Sequence, residues 1–143
     1  MDVNIGSFLA RRADISPDRE AYVDSATGFR LSFAALNQRV NQLAHQLRSQ
    51  GVGQGDRVAL CLMNSAEFIE SFLAVAKAGG VVVPLNWRLV ADELEFIIKD
   101  SGAKTMIFGT EFETVVSDLA SRGDKTDVRH WLQVGGQCLL FAE

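Results

Sequence analysis

Apolar residues recur every three or four positions in several segments of the chain, and short apolar runs separate those segments. The clearest case is 66–89, where Phe68, Phe72 and Val75 recur at helical spacing and predict a helix with one broad apolar face. Gly79 follows this pattern, and glycine readily takes the left-handed conformation of a helix C-cap. We therefore expect a helix that ends at Gly79.

A strand is predicted directly after this helix. Residues 81–83 are all valine, and a run that is β-branched and apolar on both faces is typical of a strand buried in a parallel sheet. Pro84 cannot donate a hydrogen bond to a neighbouring strand, so the strand is expected to end there. The chain then continues through 85–88 at the carboxyl edge, which is where ligands bind in open α/β sheets.

The same alternation of helical and strand patterns extends along the rest of the chain. It predicts a short helix over 5–13, a hairpin over 21–31, helices over 32–50, 92–99 and 112–119, and strands over 57–62, 104–108 and 129–134. Strands that alternate with helices favour right-handed crossovers. We therefore expect an α/β fold, a three-layer sandwich with a mainly parallel sheet, preceded by a small β-hairpin.

Side-chain details of these helices can also be predicted. In 92–99, Leu94, Ile97 and Ile98 should face inward, and Glu95 and Lys99 have the spacing of a favourable ion pair along one helix. On the earlier helix, Glu67 and Glu70 are three residues apart and are interpreted as a solvated polar edge.

Composition narrows the class of protein. The length of 143 residues favours one domain, and a net charge of −4 with scattered basic residues argues against nucleic-acid binding. No apolar run is long enough to span a membrane, and Asp2 lies where a secretory signal would be basic. The two cysteines, Cys61 and Cys138, lie far apart in apolar runs, so buried reduced thiols and a cytoplasmic location are expected.

The residues alone indicate little chemistry. The loop 51–55 is rich in glycine, but it follows a predicted helix and precedes a strand, whereas a phosphate-binding loop has the opposite order. His45 and His130 are far apart in sequence and have no evident acid–base partner. We assign no catalytic and no metal-binding residue.

Four segments in register resemble a known family. Residues 77–86 resemble the motif Lys-Ala-Gly-x-x-x-x-Pro-Leu-(Asn/Asp) of the adenylate-forming enzymes. Residues 31–36, 51–60 and 94–103 resemble other blocks of that family in the expected order, read here as LSFAAL, GVGQGDRVAL and LEFIIKDSGA. The asparagine and arginine in 86–89 look most like the CoA-ligase branch, the AMP-forming acyl-CoA synthetases.

This resemblance implies a function for a longer protein. Such synthetases activate a carboxylic acid with ATP and Mg²⁺ and transfer the acyl group to CoA, so the acid and CoA are the implied partners. The family's phosphate loop is not found in this sequence. We therefore expect residues 1–143 to be an N-terminal subdomain truncated before that loop, inactive alone and binding no cofactor. Surface apolar residues made for the remainder could support a homo-oligomer.

Two alternatives remain open at this point. The chain could belong to a peptide-synthetase-type adenylation domain whose acceptor is a carrier protein. It could also be a stand-alone, non-catalytic α/β module that binds a partner.

One residue is a candidate for binding. Arg88 follows the strand end at Pro84, and some CoA-ligase relatives use an arginine at this point against the nucleotide phosphates of CoA. A guanidinium group suits phosphate because it can donate two parallel hydrogen bonds. The competing interpretation is a surface arginine that pairs with Asp92 or Glu93, with Trp87 covering the sheet edge.

Overall fold

The computed structural model describes residues 4–135 and 140–142, and their chain divides into two compact units that are interleaved in sequence. Unit 1 runs to Gln54 and resumes over Asn64–Gly80, whereas unit 2 comprises Gly55–Met63 and the chain from Val81 onward. The helices are α1 Gly6–Ile15, α2 Phe33–Ser49, α3 Ala66–Ala78, α4 Ala91–Ser101 and α5 Glu113–Ser121. The strands are β1 Glu20–Val23, β2 Arg30–Ser32, β3 Arg57–Cys61, β4 Val81–Pro84, β5 Thr105–Gly109, β6 His130–Val134 and β7 Leu140–Ala142.

Unit 1 contains α1, the antiparallel hairpin of β1 and β2, and the helices α2 and α3. Local sequence signals determine where both long helices begin. The Ser32 hydroxyl accepts a hydrogen bond from the Ala35 N–H (3.1 Å), and the Ser65 hydroxyl accepts one from the Phe68 N–H (3.2 Å). Such N-caps satisfy amides that have no partner within the helix. The hairpin and both helix starts are thus confirmed.

The buried face of α3 differs in part from the predicted one, since of Phe68, Phe72 and Val75 only Val75 is fully buried. Its buried residues are mostly small or polar: Ala66, Glu70, Ser71, Ala74, Val75 and Ala78. Phe68 and Phe72 are only half-buried, with ring centroids 6.4 Å apart. Gly79 does end the helix, in the left-handed conformation with φ +94°. The position of a large apolar residue thus did not identify the most buried side of this helix.

Polar side chains link α2 to α3 within unit 1. Glu70 is buried and forms an ion pair with Arg39, so the interpretation of Glu70 as part of a solvated edge is wrong. The Lys77 ammonium donates to the amide oxygens of Asn37 and of Asn41, the latter at 2.6 Å. Burial raises the pKa of Glu70, against the effect of Arg39, and lowers the pKa of Lys77. Ionisable groups are therefore part of the packing between these two helices.

Unit 2 is built on one five-stranded sheet with the order β4-β3-β5-β6-β7. Strands β3 to β6 are parallel, as predicted, and β7 pairs antiparallel with β6. The central strands β3 and β5 are almost entirely buried. The expectation that the valine strand is buried on both faces is wrong, because β4 lies at the edge of the sheet and Val81 is 47% exposed. An edge position also explains why Pro84 is tolerated in this strand.

The core of unit 2 is a contiguous apolar cluster. It contains Ala59, Cys61, Leu85, Leu94, Ile98, Ala103, Met106, Phe108, Phe112, Val116 and Leu119. Helix α4 contributes Leu94 and Ile98 from positions four apart, and the half-buried Ile97 packs against the cluster, which confirms the predicted inward face. The α/β class, the mainly parallel sheet and the separate two-stranded hairpin are therefore all present.

Charged residues in the first half of α4 and near the end of α5 form a different network from the predicted one. Arg122 binds Asp92 (2.7 Å), Glu95 (2.9 Å) and Asp118 (3.0 Å). Lys99 instead binds Asp127 at 3.0 Å. The predicted ion pair between Glu95 and Lys99 is therefore replaced by contacts with residues remote in sequence.

Candidate functional site

The candidate site is the carboxyl edge of the parallel sheet in unit 2. Parallel strands end at the same edge, and the register shows which ends are neighbours: Leu60 of β3 lies beside Pro84 of β4, and Cys61 of β3 lies beside Phe108 of β5. The loops that leave β4 and β5 therefore emerge on either side of β3. This is the edge at which open α/β sheets bind their ligands.

The loop after β4 has three exposed residues, 86–88, and hydrogen bonds fix the backbone before and after them. Before them, the Leu85 N–H donates to the Leu60 oxygen at 2.8 Å, and the Leu85 side chain is buried. After them, the Leu89 N–H donates to the Asn86 oxygen at 3.1 Å. The Asn86 side-chain oxygen also accepts from the Arg88 N–H at 3.1 Å. An asparagine side chain that bonds the backbone two residues on forms a tight turn, so the backbone at Arg88 is fixed.

Arg88 is exposed, and its guanidinium lies over an aromatic ring. The guanidinium carbon is 4.9 Å from the centroid of the Trp87 indole, which is within the range of a cation–π contact. The predicted alternative partners are engaged elsewhere, since Asp92 binds Arg122 and the Glu93 carboxylate accepts from the Val90 N–H at 3.1 Å. Among the described residues, the ion pairs of the structure do not include one to Arg88.

Trp87 connects this loop to the loop after β5. Trp87 is 36% exposed, and its ring centroid lies 6.2 Å from that of Phe112, with the ring planes inclined at 42°. Phe112 is a buried member of the unit 2 core and ends a short 3₁₀ helix, Thr110–Phe112. The Trp87 ring therefore contacts both Phe112 of the core and the guanidinium of Arg88.

Two further residues at this edge, Gly109 and Glu111, were not identified from the sequence. The Glu111 carboxylate folds back over Gly109, so that a Cβ atom at Gly109 would lie 2.5 Å from Glu111 Oε2. Burial raises the pKa of the Cys61 thiol to about 11, and the charge of Glu111 adds to this effect. A thiol with that pKa is protonated at neutral pH and is a poor nucleophile. The position of 109–112 after a parallel strand was the signal that could have pointed to this loop.

The remaining sequence-predicted residues lie away from this edge or have no chemistry assigned. His45 is exposed on α2 in unit 1, and His130 is the half-buried first residue of β6 in unit 2. Cys61 is a free, buried cysteine, whereas Cys138 lies outside the described residues. Residues 4–135 and 140–142 contain no cluster of three histidine, cysteine or carboxylate side chains suited to a metal ion.

The glycine-rich loop 51–55 has the geometry of a helix end. Gly51 takes a left-handed conformation, φ +90°, directly after α2, and the Val52 N–H donates to the Leu47 oxygen at 3.0 Å. Its loop precedes β3 rather than a helix. The interpretation of this segment as a C-cap and turn is confirmed.

Comparison with known proteins decides the family. Residues 9–138 match the profile of the AMP-binding enzymes. The chain belongs to this family. It is 42% identical over 121 residues to the long-chain-fatty-acid–CoA ligase FadD13 of Mycobacterium tuberculosis, covering 85% of this chain and 24% of the ligase. It is 41% identical over 117 residues to a feruloyl-CoA synthase of Amycolatopsis, covering 82% of this chain and 23% of that enzyme.

Solved structures of AMP-binding enzymes show the same fold. The crystal structure of the N-terminal domain of FACL13 from Mycobacterium tuberculosis, with an inhibitor bound, superposes with a TM-score of 0.86 at 40% identity. The match covers 92% of this chain and 33% of that domain. Relative to the full-length curated relatives that it matches, this chain spans about a quarter of their length. Within the described residues, no helix is both long enough and apolar enough to cross a membrane.

Proposed function

We propose that residues 1–143 form the N-terminal part of an AMP-forming acyl-CoA synthetase, ahead of its ATP phosphate loop. The observation that carries this proposal is the 42% identity to a long-chain-fatty-acid–CoA ligase over 121 residues. The complete enzyme would join a carboxylic acid to CoA in two steps. The carboxylate attacks the α-phosphorus of ATP, which gives an acyl-adenylate and releases pyrophosphate. The CoA sulfur then attacks the acyl carbon, loses its proton and displaces AMP.

We expect no site for ATP or Mg²⁺ among the described residues. The glycine-rich loop 51–55 opens a strand rather than a helix, so no helix N-terminus faces an anion there. The carboxylates of Asp92 and Glu95 in the first half of α4 are bound to Arg122. We therefore assign ATP and Mg²⁺ binding to the complete synthetase and expect this segment to bind neither. The 143-residue chain should catalyse no acid-dependent exchange of pyrophosphate into ATP, whereas turnover above an enzyme-free control would contradict this assignment.

Within the complete enzyme, Arg88 is proposed to bind a nucleotide phosphate of CoA. Its guanidinium is exposed at the carboxyl edge of the sheet, and its backbone is fixed by the Asn86 side chain. Arg88→Ala should raise KM for CoA about five- to tenfold. This is more than the loss of a hydrogen bond between charged groups that solvent screens fully, and less than the loss of one that solvent does not screen. Arg88→Lys should recover part of the loss, since an ammonium cannot reproduce the planar guanidinium.

The two half-reactions separate this role from a structural one. The rate of acyl-adenylate formation, measured without CoA, should change little in Arg88→Ala. Loss of both adenylation and CoA affinity would show that the loop is structural. An unchanged KM would show that Arg88 takes no part. Dephospho-CoA, which lacks the 3′-phosphate, should lose the sensitivity to Arg88 if that phosphate is the one bound.

The acceptor and the assembly state complete the proposal. Free CoA should serve as acceptor, and turnover with a carrier protein alone would favour the adenylation-domain alternative.

Several large apolar side chains are exposed, among them Ile15 (70%) and Phe96 (72%), and we propose that they support self-association of this chain. Sedimentation velocity over a hundredfold range of concentration tests this, and a constant monomer would contradict it. The cytoplasmic location stays a prediction.

A further inference from the structure

We propose that Trp87 is a positioning residue for Arg88, holding its guanidinium ready for the phosphate of CoA. This inference rests on the proposed function of Arg88 and goes beyond it, because it assigns a role to the neighbouring ring. The contact that motivates it is the 4.9 Å distance from the Arg88 guanidinium carbon to the centroid of the Trp87 indole.

An arginine on a surface loop has several flexible bonds, and ordering it for a ligand costs conformational entropy. A cation–π contact removes part of that cost before the ligand arrives, because the guanidinium is already held on the ring face. Stacking uses the face of the guanidinium and leaves the N–H groups along its edge available to a phosphate. The contact therefore orders Arg88 without consuming its hydrogen-bond donors.

The ring can do this only if it is itself held, and the structure shows how. The Trp87 ring contacts Phe112, which belongs to the buried core of unit 2. The backbone before Trp87 is tied to Leu60 through Leu85, and the N–H groups of Arg88 and Leu89, which follow Trp87, donate back to Asn86. Trp87 thus connects a rigid core to an exposed cation, which a residue that merely covers the sheet edge would not need to do.

A double-mutant cycle in the complete synthetase tests the proposal. Trp87→Ala should raise KM for CoA about two- to fivefold, the equivalent of an exposed cation–π contact, and should leave adenylation unchanged. Trp87→Phe is the matched control, because it keeps a ring and should recover most of the affinity. The decisive arm is Trp87→Ala in an Arg88→Ala background, where KM should not rise further, since Trp87 acts only through Arg88.

The outcomes separate this inference from the proposed function. If Arg88→Ala leaves KM unchanged, the proposed role of Arg88 fails. If Arg88→Ala raises KM but Trp87→Ala does not, the role of Arg88 stands and the positioning role of Trp87 is overturned. If Trp87→Ala raises KM equally with and without Arg88, Trp87 acts independently of Arg88, which also overturns it. Equal loss of adenylation and CoA affinity in Trp87→Ala alone would show a purely structural residue.

Discussion

Two helices of this chain are packed by different means. Helix α4 of unit 2 buries a narrow apolar stripe, Leu94 and Ile98, both fully buried in a cluster of apolar side chains. Helix α3 of unit 1 buries small residues such as Ala74 together with the carboxylate of Glu70. A helix of the first kind is stabilised by the volume of its side chains, whereas one of the second kind is stabilised by close approach and by paired polar groups.

The difference predicts opposite sensitivities. Helix α4 should tolerate changes on its exposed face and suffer when buried volume is removed. Helix α3 has no exposed residue and should suffer when volume is added. The ionisable groups of α3 should also make its contribution to stability depend on pH, which the apolar stripe of α4 cannot do.

The largest effect is expected from removing buried volume in α4. Ile98→Ala should lower the free energy of unfolding by about 2–5 kcal/mol, because it removes a fully buried side chain and leaves a cavity. Phe96→Ala is the matched control on the same helix. Phe96 is 72% exposed, so in the monomeric chain its loss should change stability by less than about 0.5 kcal/mol. Urea unfolding measures both, and equal losses would contradict the assignment of the two faces.

A smaller loss is expected from adding volume to α3. Ala74 is fully buried, so Ala74→Leu should lower the free energy of unfolding by about 1–3 kcal/mol through overpacking. Ala34→Leu, on an exposed position of α2, makes the same chemical change where there is space. Thermal or urea unfolding should separate the two variants, and a neutral or stabilising Ala74→Leu would show that the packing around α3 is loose.

The smallest effect should depend on pH. Burial raises the pKa of Glu70 in the folded chain above its unfolded value, so the folded state binds the proton more tightly. This tighter proton binding stabilises the folded state below the ordinary glutamate pKa of about 4.3. The stabilisation is lost as pH rises through the raised pKa of Glu70 in the folded chain. Relative to Glu70→Gln, the wild-type chain should therefore become less stable as pH increases over this window. The reverse trend would mean that the ion pair with Arg39 outweighs burial.

Much of the fold could be predicted from the sequence because its signals act locally. Ser32 and Ser65 cap helices with their own hydroxyls, and Gly79 ends one through its own backbone conformation. The parallel strands β3, β5 and β6 follow from alternation of strand and helix along the chain. None of these features needs a partner that is remote in sequence.

The candidate site was predicted only in part, because some of its contacts join residues that are remote in sequence. The position of Arg88 after a strand end follows from the order of elements, so the sequence was enough to place it at the carboxyl edge. Its contact with Trp87 brings in Phe112, twenty-five positions along the chain, which becomes a neighbour because β5 pairs with β3. The partners expected for Arg88, Asp92 and Glu93, were close in sequence, but other groups bind them.

By itself, the sequence determined the helices, the parallel direction of β3 to β6 and the family resemblance, since helices depend on residues within a few turns of one another and the resemblance depends on short motifs in a fixed order. Only the tertiary structure decided that β4 lies at the sheet edge, that Glu70 is buried against Arg39 and that Trp87 carries Arg88. The physical reason is that strand order and side-chain pairing depend on competition among many remote partners. An apolar run such as 81–83 predicts a strand, but it does not predict which strands lie beside it.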